Sequence, residues 1–242
     1  HHLYGFHDVR KNFSVGNWLM LVTKKINEIK KRKKIPILVG GTGLYFKSLT
    51  DGLVKIPNIP IQFRNKIRKL HKDLGQKKFY QKLIKLDPSY KKIINPTDAQ
   101  RSIRAYEVKL FTKKSLHEWF ESTKSNFMDE EFYKIYIDYP RQDLIKRIAN
   151  RTDEMLKSGA IPEVKRFIKL NVKKDKSVNK AIGIAEIKEF LTNKKKLSEI
   201  SEKISIKTRQ YAKRQSTWAR GNMQSWLKLM PQDLKKFLKK IK

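Results

Sequence analysis

The chain has 242 residues, 57 Lys and Arg against 23 Asp and Glu, no cysteine, and a formal charge of +34 at pH 7. That length makes one large domain or two small ones, and a hydrophobic share of 39% is enough to bury a core. Without cysteine there are no disulfides or thiolate metal sites, which fits a reducing cytosol. The longest apolar runs, IPILV and FYKIYI, fall far short of the ~18 residues a membrane helix needs, and nothing resembles a signal peptide.

In chain order, the sequence opens at His1 within an apolar HHLYGF segment already in progress, and two histidines are too few for a tag. It reads as a protein missing its beginning. Residues 17–33 space Leu19, Val22, Ile26 and Ile29 as a helix with a basic outer face. IPILV at 35–39 reads as a short buried strand. It runs into Gly40-Gly41-Thr42-Gly43, and a second helix follows to about Gly52. Helix, strand, glycine turn and helix together form a parallel α/β layer, which binds ligands at the carboxyl ends of its strands.

From about 55 to 130 no strand is evident. Helices are predicted at 62–73, 76–86, 98–112 and 115–121, forming a helical insertion within an α/β core made of 1–54 and 131–242. FYKIYI at 132–137 returns to the sheet. A helix through Leu144, Ile148 and Met155 stops at Gly159, and Pro162 can open the next. Residues 181–191, 197–220 and 231–241 are read as helical.

Only 13 of the 57 cations are Arg. Abundant Lys, Ile and Asn can reflect an AT-rich coding sequence, so the bulk charge admits two readings: a polyanion-binding surface or compositional background. The arginines are the more informative cations. Gly41 to Ser48 approaches the phosphate loop G-x-x-x-x-G-K-[ST], but Phe46 replaces its second glycine and its bulk would keep phosphate from the backbone. What survives is a turn that either offers its amides and the Thr42 hydroxyl to a ligand or simply packs tightly.

In 98–108, Ile103, Tyr106 and Leu110 make the core stripe and leave Gln100, Arg101 and Arg104 on the other side, suited to phosphates or base edges. Arg147 and Arg151, at i and i+4, could grip a diphosphate, or Arg151 could pair with Glu154. The densest cluster is 208–220. Arg209, Lys213 and Arg220 share one sector, and Gln210, Arg214 and Trp218 the next. Cations, amides and an indole in alternation suit single-stranded or loop RNA. An amphipathic closing helix with Trp218 as a core anchor would look the same. The histidines suggest no metal site.

Taken together, HHLYG at 1–5, IPILVGGTGLYFK at 35–47, DAQRSIRAYEV at 98–108, RTDEMLKSG at 151–159, AIGIAEI at 181–187 and TRQYAKRQSTWAR at 208–220 resemble the ordered landmarks of tRNA dimethylallyltransferases. The resemblance implies a P-loop-kinase-like α/β core with a helical insertion. It also implies transfer of a dimethylallyl group from dimethylallyl diphosphate to N6 of the adenosine 3′-adjacent to the anticodon, with Mg²⁺. The base would be flipped out into a channel.

Carried over by position, Thr42 and Arg64 would touch tRNA, as would Gln100, Arg101, Ser102, Ile103 and Arg104. The same holds for Lys180, Ala181, Ile182 and Gly183, and for Lys213, Arg214, Gln215, Ser216, Thr217, Trp218, Ala219 and Arg220. Arg151 would neutralise the leaving diphosphate. The partners implied are the tRNA anticodon stem-loop and dimethylallyl diphosphate, for a cytoplasmic monomer independent of membranes.

Two family landmarks are not found in the 242 residues: the G-x-T-x-x-GK-[ST] loop and the D-S-x-Q-x-Y segment with its general-base aspartate. Most Mg²⁺ ligands are expected there, and the chain by itself is expected to be inactive. Gly183-Ile184-Ala185-Glu186 stands where the family usually has G-Y-K-E, and Ala219 replaces a bulkier residue. The competing readings are a non-catalytic RNA-binding module and a kinase-like nucleotide binder using the 40–48 turn. Phe46 argues against the second.

Overall fold

A computed structural model describes residues 1–240. The chain divides into two units, one made of His1–Phe46 and everything from Asp129 onward, the other of Lys47–Met128.

In the first unit, helix α1 (Val15–Lys31) opens on a capping box in which Ser14 Oγ accepts from Asn17 N at 3.1 Å and Asn17 Oδ1 accepts from Ser14 N at 3.1 Å. Its apolar stripe buries Val22 and Ile26. Residues 35–39, expected as a buried strand, are extended but belong to no ladder; Ile35, Ile37 and Val39 are 67, 73 and 81% exposed. The reason is pairing: a strand is defined by a hydrogen-bonded neighbour, and among the described residues none lies beside it.

Helix α2 (Gly43–Thr50) follows, and its last turn belongs to the second unit. The sheet consists of two parallel strands, β1 (Ile135–Ile137) and β2 (Leu227–Leu229), with Tyr136 opposite Lys228. β2 was not foreseen, because LKL carries no strand signature of its own and is recruited by β1. Helices α6 (Arg141–Lys157), α7 (Ala160–Lys169), α8 (Ile184–Leu191) and α9 (Leu197–Asn222) lie between the two strands in sequence. They share a core of Leu156, Val164, Ile187, Ile200 and Ile204. Helix α10 (Leu234–Lys240) ends the described chain, so position 241 of the expected terminal helix lies outside it.

The second unit is all helical: α3 (Ile61–Leu86), α4 (Ala99–Thr112) and α5 (Leu116–Glu121), with a short 3-10 turn at Pro88–Lys92. The two helices expected at 62–73 and 76–86 are both present within α3 and meet at Gly75, whose backbone is non-helical with a φ of +70° that only glycine adopts cheaply. Phe79, Leu83, Tyr90, Ala105 and Tyr106 form its core. The division falls at 46 and 128 rather than 54 and 130. Leu49 is buried within this second unit, where its carbonyl accepts from Ser125 Oγ at 2.6 Å.

Candidate functional site

In the first unit the closing helix α9 lies directly on the glycine turn. Gln215 Nε2 donates to the Gly41 carbonyl at 2.9 Å. A Cβ on Gly41 would stand 2.0 Å from Gln215 Nε2, and one on Gly43 would stand 2.2 Å from Trp218 Cε3. These glycines are therefore demanded by the close passage of a helix. Two blocks far apart in sequence, 40–43 and 208–220, thus form one surface. Thr42 is exposed at its edge, with Lys213, Arg214, Thr217 and Arg220 exposed along α9 and Gln215, Ser216 and Trp218 half-buried. Arg214 lies over the Tyr211 ring at 5.7 Å. Phe46 packs edge-on against Trp226 at 5.6 Å.

Ala219, expected on the RNA face, is instead buried. In α6, Arg147 does not join Arg151. It donates to the Tyr139 hydroxyl at 2.7 Å and lies over that ring. Arg151 is exposed and has no hydrogen bond or ion pair among the described residues. The alternative pairing with Glu154 does not form.

Lys180 and Ala181 are exposed ahead of α8, whereas Ile182 is half-buried and Gly183 buried. Gly183 turns at φ +105°, and its N–H donates to Glu186 Oε2 at 2.9 Å. Glu186 Oε1 also accepts from Lys207 Nζ. Burial is the largest influence on this carboxyl and raises its pKa. The Lys207 hydrogen bond and the backbone N–H groups together outweigh it, so the net value lies below the ordinary 4.5.

The second unit carries the 98–108 block. Asp98 caps α4 by accepting from Arg101 N at 2.9 Å, and it also pairs with the Arg101 side chain. Gln100 and Arg101 are exposed and Arg104 half-buried. Ser102 is a further correction: it is fully buried, donating to Asp98 O at 2.7 Å and accepting from Gln76 Nε2 at 3.2 Å. Ile103 packs against the core. Helical spacing turns Ser102 fully inward from Arg101 and Arg104, whereas Ile103 stays half-buried.

Glu107 was missed. Its side chain is 2% exposed, and Arg64 Nε and Arg104 Nη1 lie 3.4 Å from Oε2, with Arg68 Nε 3.9 Å from Oε1. Two expected RNA contacts, Arg64 and Arg104, therefore share one carboxylate with Arg68. The i, i+4 spacing of Arg64 and Arg68 was a visible signal.

No three His, Asp or Glu side chains among the described residues come together as a metal site. The described residues do not make a cage for the implied Mg²⁺. No described helix is long and apolar enough to cross a membrane.

The first unit thus combines a two-stranded parallel sheet with a closing helix that lines up cations, amides and an indole. The family model described as IPP transferase matches residues 1–222. The chain is 58% identical to a tRNA dimethylallyltransferase of Pelagibacter ubique over all of its length and 77% of that protein. It is 40% identical to one of Rickettsia massiliae over all of its length and 67% of that protein. Among solved structures, the full-length tRNA isopentenylpyrophosphate transferase of Bacillus halodurans aligns with a TM-score of 0.61 at 28% identity, over 95% of this chain and 71% of that one. A eukaryotic dimethylallyltransferase acting on tRNA aligns with a TM-score of 0.76 at 25% identity, over 96% and 60%. The chain belongs to the IPP transferase family.

Proposed function

We propose that this chain serves the transfer of a dimethylallyl group from dimethylallyl diphosphate to N6 of the adenosine 3′-adjacent to the anticodon in tRNA. The observation that carries the reading is the seating of α9 on the glycine turn, where Gln215 and Trp218 meet Gly41 and Gly43. It joins the two most specific family blocks into one surface of cations, amides and an aromatic ring. On that surface Trp218 supplies stacking area, Arg214 and Lys213 neutralise phosphates, and Thr42 offers a hydroxyl at the edge. Arg151, exposed and without a partner among the described residues, is available to stabilise charge developing on the leaving diphosphate. On this reading the protein works as a cytoplasmic monomer on the tRNA anticodon stem-loop.

The test has two arms. The chain should bind an unmodified anticodon stem-loop, and Arg101→Ala or Arg214→Ala should each weaken binding by ~1–3 kcal/mol. A chimera that adds the share of the Pelagibacter relative this chain does not cover should convert the target adenosine to its dimethylallyl form, read by nucleoside mass spectrometry. Arg151→Ala should slow that conversion while leaving RNA affinity intact. A chimera that binds tRNA tightly yet yields no product would leave only an RNA-binding module.

A further inference from the structure

Three guanidiniums surround one buried carboxylate in the second unit. Glu107 lies on the inner face of α4 beside Ala105, Tyr106 and Val108, all buried. It is a residue type that is almost never fully buried without partners. The partners it has are arranged unusually. Arg64 and Arg68 approach through Nε and Arg104 through Nη1, so none closes the two-pronged fork that a guanidinium makes with a carboxylate. An arginine has five N–H donors, so an approach through Nε leaves terminal N–H groups of Arg64 and Arg68 unused by Glu107. Those donors have no other hydrogen-bond partner among the described residues. Glu107 Oε1, although buried, accepts no hydrogen bond.

We propose that Glu107 is a positioning residue that holds Arg64, Arg68 and Arg104 as a seat for a backbone phosphate of the RNA, with Arg68 a direct contact. Three positive charges against one negative leave the cluster at net +2, matched to a singly charged phosphodiester with excess attraction. The three arginine side chains are 36, 52 and 39% exposed, which suits a strand lying across a surface. A free diphosphate, which demands enclosure, is the poorer match. The carboxylate's part is orientation: it fixes three long side chains whose rotamer freedom would otherwise be lost on binding. This assignment rests on the tRNA reading above.

Equilibrium binding of the full chain to unmodified tRNA across a salt series tests it. Arg68→Gln should weaken affinity about five- to tenfold and lower the slope of log K against log salt by about 0.7–0.9, one phosphate's worth. Its thermal midpoint should not move, since the side chain is half exposed. Glu107→Gln raises the cluster from +2 to +3, so diffuse attraction would tighten binding. Positioning requires that it weaken binding and flatten the slope despite the added charge.

Tighter binding by Glu107→Gln, or an unchanged slope in Arg68→Gln, overturns the proposal. So does inorganic diphosphate that displaces RNA from the wild type but not from Arg68→Gln. Arg214→Ala, on the other unit, separates the two readings: loss there with none at Arg68 removes the seat alone. A wild type that binds tRNA no better than polyuridylate removes both.

Discussion

Gly41 and Gly43 look interchangeable in the sequence but face different neighbours. An added methyl at Gly41 meets the end of a flexible amide, whereas at Gly43 it meets the fused ring of Trp218 at 2.2 Å. Gly43→Ala should therefore cost about 1–3 kcal/mol by overpacking, displace the indole and weaken RNA binding. Gly41→Ala should lose the Gln215 hydrogen bond and little more. Thermal unfolding and Trp fluorescence of the two variants should separate in that order. Glu186 carries a pH signature of its own. Because its carboxyl is held below 4.5 in the folded chain, its contribution is complete above that value and is lost as pH falls through the folded pKa. Glu186→Gln should cost about 1–2 kcal/mol at pH 7 and flatten the acid limb of the stability profile.

Among the elements, α3 holds its kink at a single residue. A Cβ on Gly75 would touch nothing within 4 Å, so the need for glycine there is purely the positive φ. Gly75→Ala should destabilise the chain by about 1 kcal/mol, measured by denaturant titration with an unchanged m value. Most helices were legible because their apolar spacing and starts are local: Ser14 caps α1, and Asp98 caps α4. The short strands were less so. Residues 35–39 have the β-branched composition of a strand and no partner, while Leu227–Leu229 lack that composition and pair with β1. Strand status depends on a neighbour, which local pattern cannot supply. For the site, residue type singled out the α9 surface. Glu107 stayed hidden because a charged residue inside an apolar run looks like an interruption until Arg68 and Arg64, 39 and 43 positions away, arrive from the packed partner helix to join Arg104 on its own helix.

For the whole molecule, a charge of +34 makes attraction to any polyanion the background against which recognition operates. Removing exposed Lys235 and Lys236 should lower affinity for tRNA and polyuridylate equally, whereas Arg214→Ala should narrow the difference between them in a competition assay. The same charge has a second effect at the stripe of Ile35, Ile37 and Val39. Alternating aliphatic side chains on an unpaired extended segment are the usual seed for aggregation. Lys31, Arg32, Lys33 and Lys34 stand immediately before them as gatekeepers. Concentrated solutions should stay clear at low ionic strength and scatter light as added salt screens that repulsion. Val39→Lys should raise the salt concentration at which turbidity begins.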